Sequence, residues 1–199
     1  MKLTIKTNLI LLIALIALQF SCKKNQDNNA APTPTNNAFT LTSIAVENGL
    51  LLSAYKCEPK VNGIEKSIPL SWSNVPATAK TLAICMIHYP VPTDTSNVST
   101  YLTLWNIDKS VTGIPYGTAN NGPWYMGANK DGNVISYTSP CSAGPGTHTY
   151  YITIYALSAT PVMLPSQNSL SVNYKVLRNA LSTVTIIDKA TLTFNSITP

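Results

Sequence analysis

The sequence predicts a mainly β domain with few helices, and three observations predict it. Only 11% of its 199 residues are charged, while Ser, Thr, Asn, Pro and β-branched residues abound, the usage of a sheet protein. From Phe39 onward the apolar residues alternate with period two or form short solid runs bounded by Pro, Gly, Asn and Asp clusters. One stretch alone, 173 to 184, repeats its apolar residues at helical spacing.

Taken in order, the chain opens on a segment outside that domain. "MKLTIKTN" is short and basic, "LILLIALIAL" runs apolar from Leu9 to Leu18, and Ser21 directly precedes Cys22. A helix over that apolar run is about 15 Å long, half the hydrocarbon thickness, so residues 1–21 read as an export signal and not as a membrane span. A cysteine placed there resembles the processing site of bacterial lipoproteins, although Gln19 and Phe20 are not the residues usually found before it. Cys22 is then expected to carry acyl chains, each buried methylene contributing about 0.8 kcal/mol to membrane attachment. Residues 22–38 have nothing to bury and predict a lipidated cysteine on a disordered tether. The domain at 39–199 is therefore expected to be exported and lipid-anchored to a bacterial cell envelope membrane.

The formal charge of +5 overstates the domain, because Lys2, Lys6, Lys23, Lys24 and Asp27 all precede it. Nine basic and seven acidic residues remain. With no Arg/Lys stripe interleaved with aromatics, a nucleic-acid partner is excluded.

Strands are predicted at "AFTLTSIAV" (38–46), "LAICMI" (82–87), "YLTLWNI" (101–107), "TYYITIYAL" (149–157) and "ATLTFN" (190–195). In 173–184, Val176, Leu177, Ala180, Leu181 and Val184 share one helical face. Segment 112–147 holds seven of the nine glycines and four of the fourteen prolines, and loops of that length are usually functional or built around something. Trp72 and Trp105 read as core residues whose indole N–H needs an acceptor. Trp124 reads as a cap folded over the core, with an exposed contact surface as the alternative.

The chain has two histidines, and no His-Glu-x-x-His, Cys-x-x-Cys, phosphate-binding glycine loop or Gly-x-Ser-x-Gly. A zinc site would need His88, His148 and one of Cys57, Cys85 or Cys141 to meet by tertiary coincidence, so neither a metal nor a cofactor is expected. A Ser-His-Asp triad can be written from Ser139, Ser142, His148 and Asp131, but such triads are assembled in space, which leaves a hydrolase the weakest reading. If a strand begins near Thr147, His148 and Tyr150 share a face at the lip of the Pro/Gly loop. An imidazole beside a phenol suits an oxyanion; the alternative is a solvated histidine at a strand end above a core tyrosine.

The ordered set "FTLTS…LLSAYKCEP…SIPLSWSNVP…KTLAICMIHYPVP…YLTLWNI…GIPYG…YTSPCSAGPGTHTYYITIYAL" resembles the phosphatidylethanolamine-binding protein family, in particular its bacterial Raf kinase inhibitor-like branch, over nearly all of 39–195. The resemblance implies a large central β-sheet packed on a smaller one, few helices and a small anion-binding pocket. That pocket is lined by an Asp-Pro-Asp-x-Pro strand end, a His-Trp pair and a Gly-Pro…Gly-x-His-Arg-Tyr segment. Pro140, His148 and Tyr150 match the last of these, with Ser139 replacing its glycine and Thr149 its arginine. In "HYPVP", His88 and Pro90 stand where the two carboxylates belong and Pro92 agrees; Tyr101 and Leu102 stand for the His-Trp pair.

The pocket residues implied are therefore His148, Tyr150, Pro140, Ser139, Tyr101 and His88. Loss of both aspartates removes the partners of an ethanolamine ammonium, so a phosphate-like or carboxylate anion is the implied ligand of a non-enzymatic binding protein. The alternative is a cavity filled by Tyr101 in a protein-interaction or inhibitor module that works through 112–147. Cys57 and Cys141 resemble pocket-side positions in irregular segments, which implies a disulfide between them, with Cys85 a buried thiol inside its strand.

Overall fold

A computed structural model describes residues 37–199. The predicted export signal, Cys22 and residues 23–36 of the predicted tether lie outside the described residues. In chain order the elements are β1 (Thr40–Thr42), β2 (Val46–Glu47), β3 (Leu50–Leu51), β4 (Leu70–Ser73), β5 (Thr81–His88), β6 (Ser99–Asp108), β7 (Gly113–Ile114), β8 (Tyr125–Met126), β9 (Gly146–Leu157), helix α1 (Tyr174–Leu181) and β10 (Ile186–Thr198). β1, β4 and β7 form a three-stranded sheet, and the others a seven-stranded sheet in the order β2-β3-β10-β9-β5-β6-β8. Pairing is antiparallel except where Leu50 of β3 meets Asn195 of β10. This is the predicted class: mainly β, a large sheet on a smaller one, and one α-helix among the described residues.

Two packed layers account for the sequence pattern. Leu41, Leu70, Trp72 and Ile114 of the small sheet meet Ile84, Met86, Ile152, Ile154 and Phe194 of the large one. On the far side of the large sheet, Leu177, Ala180 and Leu181 of α1 close over Ala83, Cys85, Trp105 and Leu157. β5 is thus buried on both faces along all eight residues, which is why it reads as a solid apolar run.

β6 carries two bulges. Leu82 pairs with Ile107 and Ile84 with Leu104, so Trp105 and Asn106 together oppose Ala83. Asn106 takes φ +57, a left-handed conformation that Asn tolerates better than most, and Leu104 and Ile107 both reach the inter-sheet core while Trp105 turns toward α1. At the second bulge Met86 pairs with Leu102 and Ile87 with Thr100, leaving Tyr101 as the extra residue. Tyr101 and Leu102 consequently both face the inter-sheet core.

α1 starts where the Asn173 side chain accepts from Val176 N at 3.1 Å. It ends where the Ser182 and Thr183 hydroxyls donate to the Asn179 and Ala180 carbonyls at 2.7 Å each. The helix is shorter than the predicted 173–184 for those reasons, and Val176 faces outward at 37% exposure. The predicted strand 38–46 is broken at Ser43, whose hydroxyl accepts from Ala45 N at 3.1 Å and donates to the Pro69 carbonyl; the chain leaves the small sheet there and joins the large one. Within 112–147, Trp124 folds back onto the core and donates its indole N–H to the Ala119 carbonyl at 2.8 Å. Gly122 lies under that indole, where a Cβ would sit 1.9 Å from the ring. Trp72 and Trp105 are buried, donating to the Val111 and Pro165 carbonyls at 2.7 and 2.8 Å.

Candidate functional site

Five rings gather at one end of the large sheet. The register sets His88 of β5 directly opposite Tyr150 of β9, and Tyr150 opposite Phe194 of β10. His88 stacks on Tyr150 with centroids 4.9 Å apart, and Phe194 covers the other face of Tyr150 at 5.5 Å. Tyr101, turned inward by its bulge, meets Tyr150 edge-on at 5.1 Å and His88 at 6.5 Å. His148, two residues before Tyr150, stands edge-on to His88 at 5.6 Å.

His148 and Tyr150 do share a face, but not an opening. Tyr150 is 0% exposed, its hydroxyl sharing a 3.4 Å hydrogen bond with Ser142 Oγ. The pair that borders a hollow is His88, itself 8% exposed, and the half-buried His148. Together with Tyr89, Pro90, Pro92, Thr147, Thr149 and Tyr151 they line a hollow of about 190 Å³. Tyr150, Tyr101, Pro140 and Ser139 are not in its wall. Burial first, and then the adjacent Tyr150 phenol, hold the Tyr101 hydroxyl well above the usual tyrosine range, so it stays protonated.

The two imidazoles are oriented by main-chain carbonyls. His88 Nδ1–H donates to the Thr149 carbonyl, and His148 Nε2–H to the Gly144 carbonyl, both at 2.9 Å. Gly146, at φ +121, supplies the backbone that brings the 142–145 loop beneath His148. Each ring has one nitrogen left, His88 Nε2 and His148 Nδ1, without a protein hydrogen bond among the described residues. On a neutral imidazole that nitrogen is an acceptor; only a protonated ring presents N–H there.

The wall behind the rings is 138–142, fixed from several sides. Cys57 and Cys141 are joined by a disulfide, Cys57 N donates to the Pro140 carbonyl at 3.2 Å, and Thr138 N donates to the Tyr101 carbonyl at 3.0 Å. Cys85 is a free, buried thiol. Ser139 is 1% exposed; its hydroxyl donates to Glu65 Oε2 at 2.6 Å and accepts from Glu58 N at 2.9 Å, so no donor of it remains for a ligand. Glu65 also accepts from Thr138 Oγ1 at 3.1 Å and from Ser139 N. Sequence reasoning missed Glu65, a lone acid in "NGIEKS" that carries no local signal.

The groups that could be written as a triad are apart in function. Asp131 is engaged by Lys60 and Lys130 at 3.1 Å each, Ser139 by Glu65, and Ser142 by Tyr150. None of them hydrogen-bonds His148.

Residues 42–196 match the family described as phosphatidylethanolamine-binding protein. The UPF0098 protein of Methanothermobacter thermautotrophicus is 32% identical over 114 residues, which cover 56% of this chain and 70% of that protein. A phosphatidylethanolamine-binding protein homologue of Chlamydia trachomatis superposes with a TM-score of 0.66 at 26% identity, covering 82% of this chain and 99% of its own. YbcL of Escherichia coli, described as a member of the mammalian family, gives 0.65 at 21% identity over 82% and 100% of the two chains, a likeness of fold.

Proposed function

The chain belongs to the phosphatidylethanolamine-binding protein family, and from that premise we propose that it is a non-enzymatic receptor for a small phosphate-like anion, held between His88 and His148. The observation that carries this reading is the histidine pair, 5.6 Å apart on the wall of one hollow with a spare nitrogen on each ring. No aspartate or glutamate lines that hollow, so nothing in its wall repels a negative charge or pairs with an ammonium. Since the spare nitrogens donate only when protonated, the anion is taken up with a proton.

Tyr150 and Tyr101 support this site by packing against the His88 imidazole, while Ser139 and Pro140 are tied to Glu65 and Cys57 in the 138–142 wall. The test is a thermal-shift titration of the full chain with phosphate, sulfate and phosphoethanolamine, repeated on His148→Ala and His88→Ala. Anions are expected to raise the midpoint of the native chain and of neither variant. A tighter fit for intact phosphoethanolamine than for phosphate would overturn the assignment.

A second reading is favoured by the size of the hollow, which at about 190 Å³ falls below the ~300–1,000 Å³ of most ligand sites. In that reading the pocket is vestigial and segment 112–147 engages a protein. The two separate cleanly: anion stabilisation that is absent from every titration leaves only the second.

The proposal extends to location and to the bacterial Raf kinase inhibitor-like branch. The disulfide between Cys57 and Cys141 supports an oxidising compartment, in keeping with export and with lipid attachment at Cys22. Incorporation of labelled palmitate that is lost in Cys22→Ser is the expected result; equal labelling of the variant would remove the anchor.

A further inference from the structure

The outer face of the large sheet carries a second concavity beside α1. A hollow of about 430 Å³ has Tyr89, Tyr155, Tyr174, Arg178 and Lys189 in its wall. It runs into a neighbour of about 540 Å³ through Tyr174 and Arg178, which line both, and the neighbour ends at Lys175. Each lies within the ~300–1,000 Å³ typical of ligand sites, unlike the histidine hollow. No aspartate or glutamate lines either. The nearest acids stand beside the groove: Asp94 accepts from Ser96 N and Oγ at 3.0 and 2.6 Å, at the rim of the hollow that Ser96 lines and within the field of Lys175, and Asp188 Oδ1 accepts from Lys189 N at 2.8 Å.

The register builds this wall. Lys189 of β10 lies opposite Tyr155 of β9, on the sheet face away from the inter-sheet core. Lys175 and Arg178 are one helical turn apart on α1 and exposed. Burial first, then Cys85 and Tyr89, push the Tyr174 phenol up to about 12, and burial likewise raises Tyr155. The Tyr174 phenol therefore remains a hydrogen-bond donor at neutral pH, while the Tyr155 hydroxyl is shared with Cys85 Sγ at 3.9 Å.

We propose that this groove is a second binding site, for an acidic oligosaccharide whose carboxylates meet Arg178, Lys175 and Lys189 while its sugar rings lie against Tyr89, Tyr155 and Tyr174. Arg178 and Lys189, neither of them in a salt bridge among the described residues, select negative charge, with Lys175 partly offset by Asp94, and the Arg178 guanidinium can hold a carboxylate in bidentate fashion. Tyrosine supplies rigid, amphipathic contact area together with a hydroxyl that donates or accepts, which suits a hydroxyl-covered ring. A nucleic acid is the poorer match. It brings a phosphate at every unit and needs a cation for most of them, whereas the domain has only nine basic residues against seven acidic ones.

The experiment is calorimetric titration of the full chain with tetragalacturonate and with maltotetraose at one ionic strength, then of Arg178→Gln, Lys189→Gln and Tyr174→Ala. Arg178 and Lys189 are exposed, so their variants should keep the native unfolding midpoint. Saturable binding of the uronate, at least about tenfold tighter than the neutral sugar and weakened about tenfold or more by either charge variant, is the expected result. Three results each overturn the proposal: no saturable uronate binding, binding unchanged in both charge variants, or full displacement by sulfate or oligothymidylate at equal concentration. Loss of uronate binding in His148→Ala, with Arg178→Gln unaffected, would also overturn it by moving the ligand to the histidine hollow.

Discussion

The His88 imidazole lies stacked on the Tyr150 phenol, centroids 4.9 Å apart and planes 25° from parallel, while Phe194 closes the opposite face at 5.5 Å. Three strands thus meet through one fully buried ring, which makes Tyr150 a structural member of the site before it is anything else. Tyr150→Ala should destabilise the fold by about 3–5 kcal/mol, the usual range for emptying a buried aromatic position. Tyr150→Phe keeps the stack and gives up the 3.4 Å contact to Ser142 and the phenol beside Tyr101, a change within about 1.5 kcal/mol. Urea unfolding of both variants distinguishes this from a tyrosine needed mainly for its hydroxyl, in which the two substitutions would cost alike.

The disulfide between Cys57 and Cys141 closes a separation of 84 residues, for which chain entropy gives about 4.5 kcal/mol of stabilisation. Reduction, or Cys57→Ser, is expected to lower the unfolding midpoint and to free the 138–142 wall behind the histidines. Alkylation without reductant should leave both residues unlabelled; labelling of either in the untreated protein would rule the bridge out.

How much of this was legible depends on whether a feature is local. The doubly buried β5 and the helical face at Leu177, Ala180 and Leu181 are periodicities within a dozen residues, and the sequence displays them. The break at Ser43 is not legible, because it depends on the Pro69 carbonyl 26 residues away. β4 is equally illegible, since "LSWS" offers only two inward residues between a proline and an asparagine. At the site, period two put His148 and Tyr150 on one face, but the sealing of Tyr150 comes from Phe194, 44 positions later. The inward turn of Tyr101 comes from a bulge, a property of strand register that no single strand's pattern reveals.

Cys85 should be inert in the folded protein. It is 1% exposed, and burial pushes its thiol up to about 11, against the smaller opposing effect of its contact with the Tyr155 hydroxyl. Iodoacetamide at about pH 8 attacks thiolate, which is scarce here. Mass spectrometry is expected to find Cys85 unmodified in native protein and fully modified in urea; rapid native labelling would contradict its burial.

Asp131 gives the fold a small acid-sensitive component. Hydrogen bonds from Lys130 and then Lys60 hold its carboxyl below the ordinary carboxylate value. A depressed folded value means the contribution is present above the unfolded value, about 3.9, and is lost as pH falls through the folded one. The group is solvent-accessible, so the effect is confined to about 0.2–1 kcal/mol. Between about pH 5 and pH 2, the urea midpoint should fall less steeply in Asp131→Asn than in the native chain; parallel curves would show that the lysine contacts contribute nothing.

Anion affinity should depend on pH with a definite sign. Both imidazoles already donate one N–H to a carbonyl, at Thr149 and Gly144, so a neutral ring turns a lone pair toward the hollow and repels an oxyanion. Binding an anion therefore favours the doubly protonated ring, and by linkage affinity must rise as pH falls. Sulfate is the useful probe, because its own charge stays constant through neutral and mildly acidic pH. Its dissociation constant should decrease as pH falls, with the slope reduced in His88→Gln or His148→Gln and absent in the double variant. A sulfate affinity that is strong and flat across that range would mean that neutral donors hold the anion, and the histidine pair would then have to be replaced by hydroxyls or main-chain N–H groups at the same hollow.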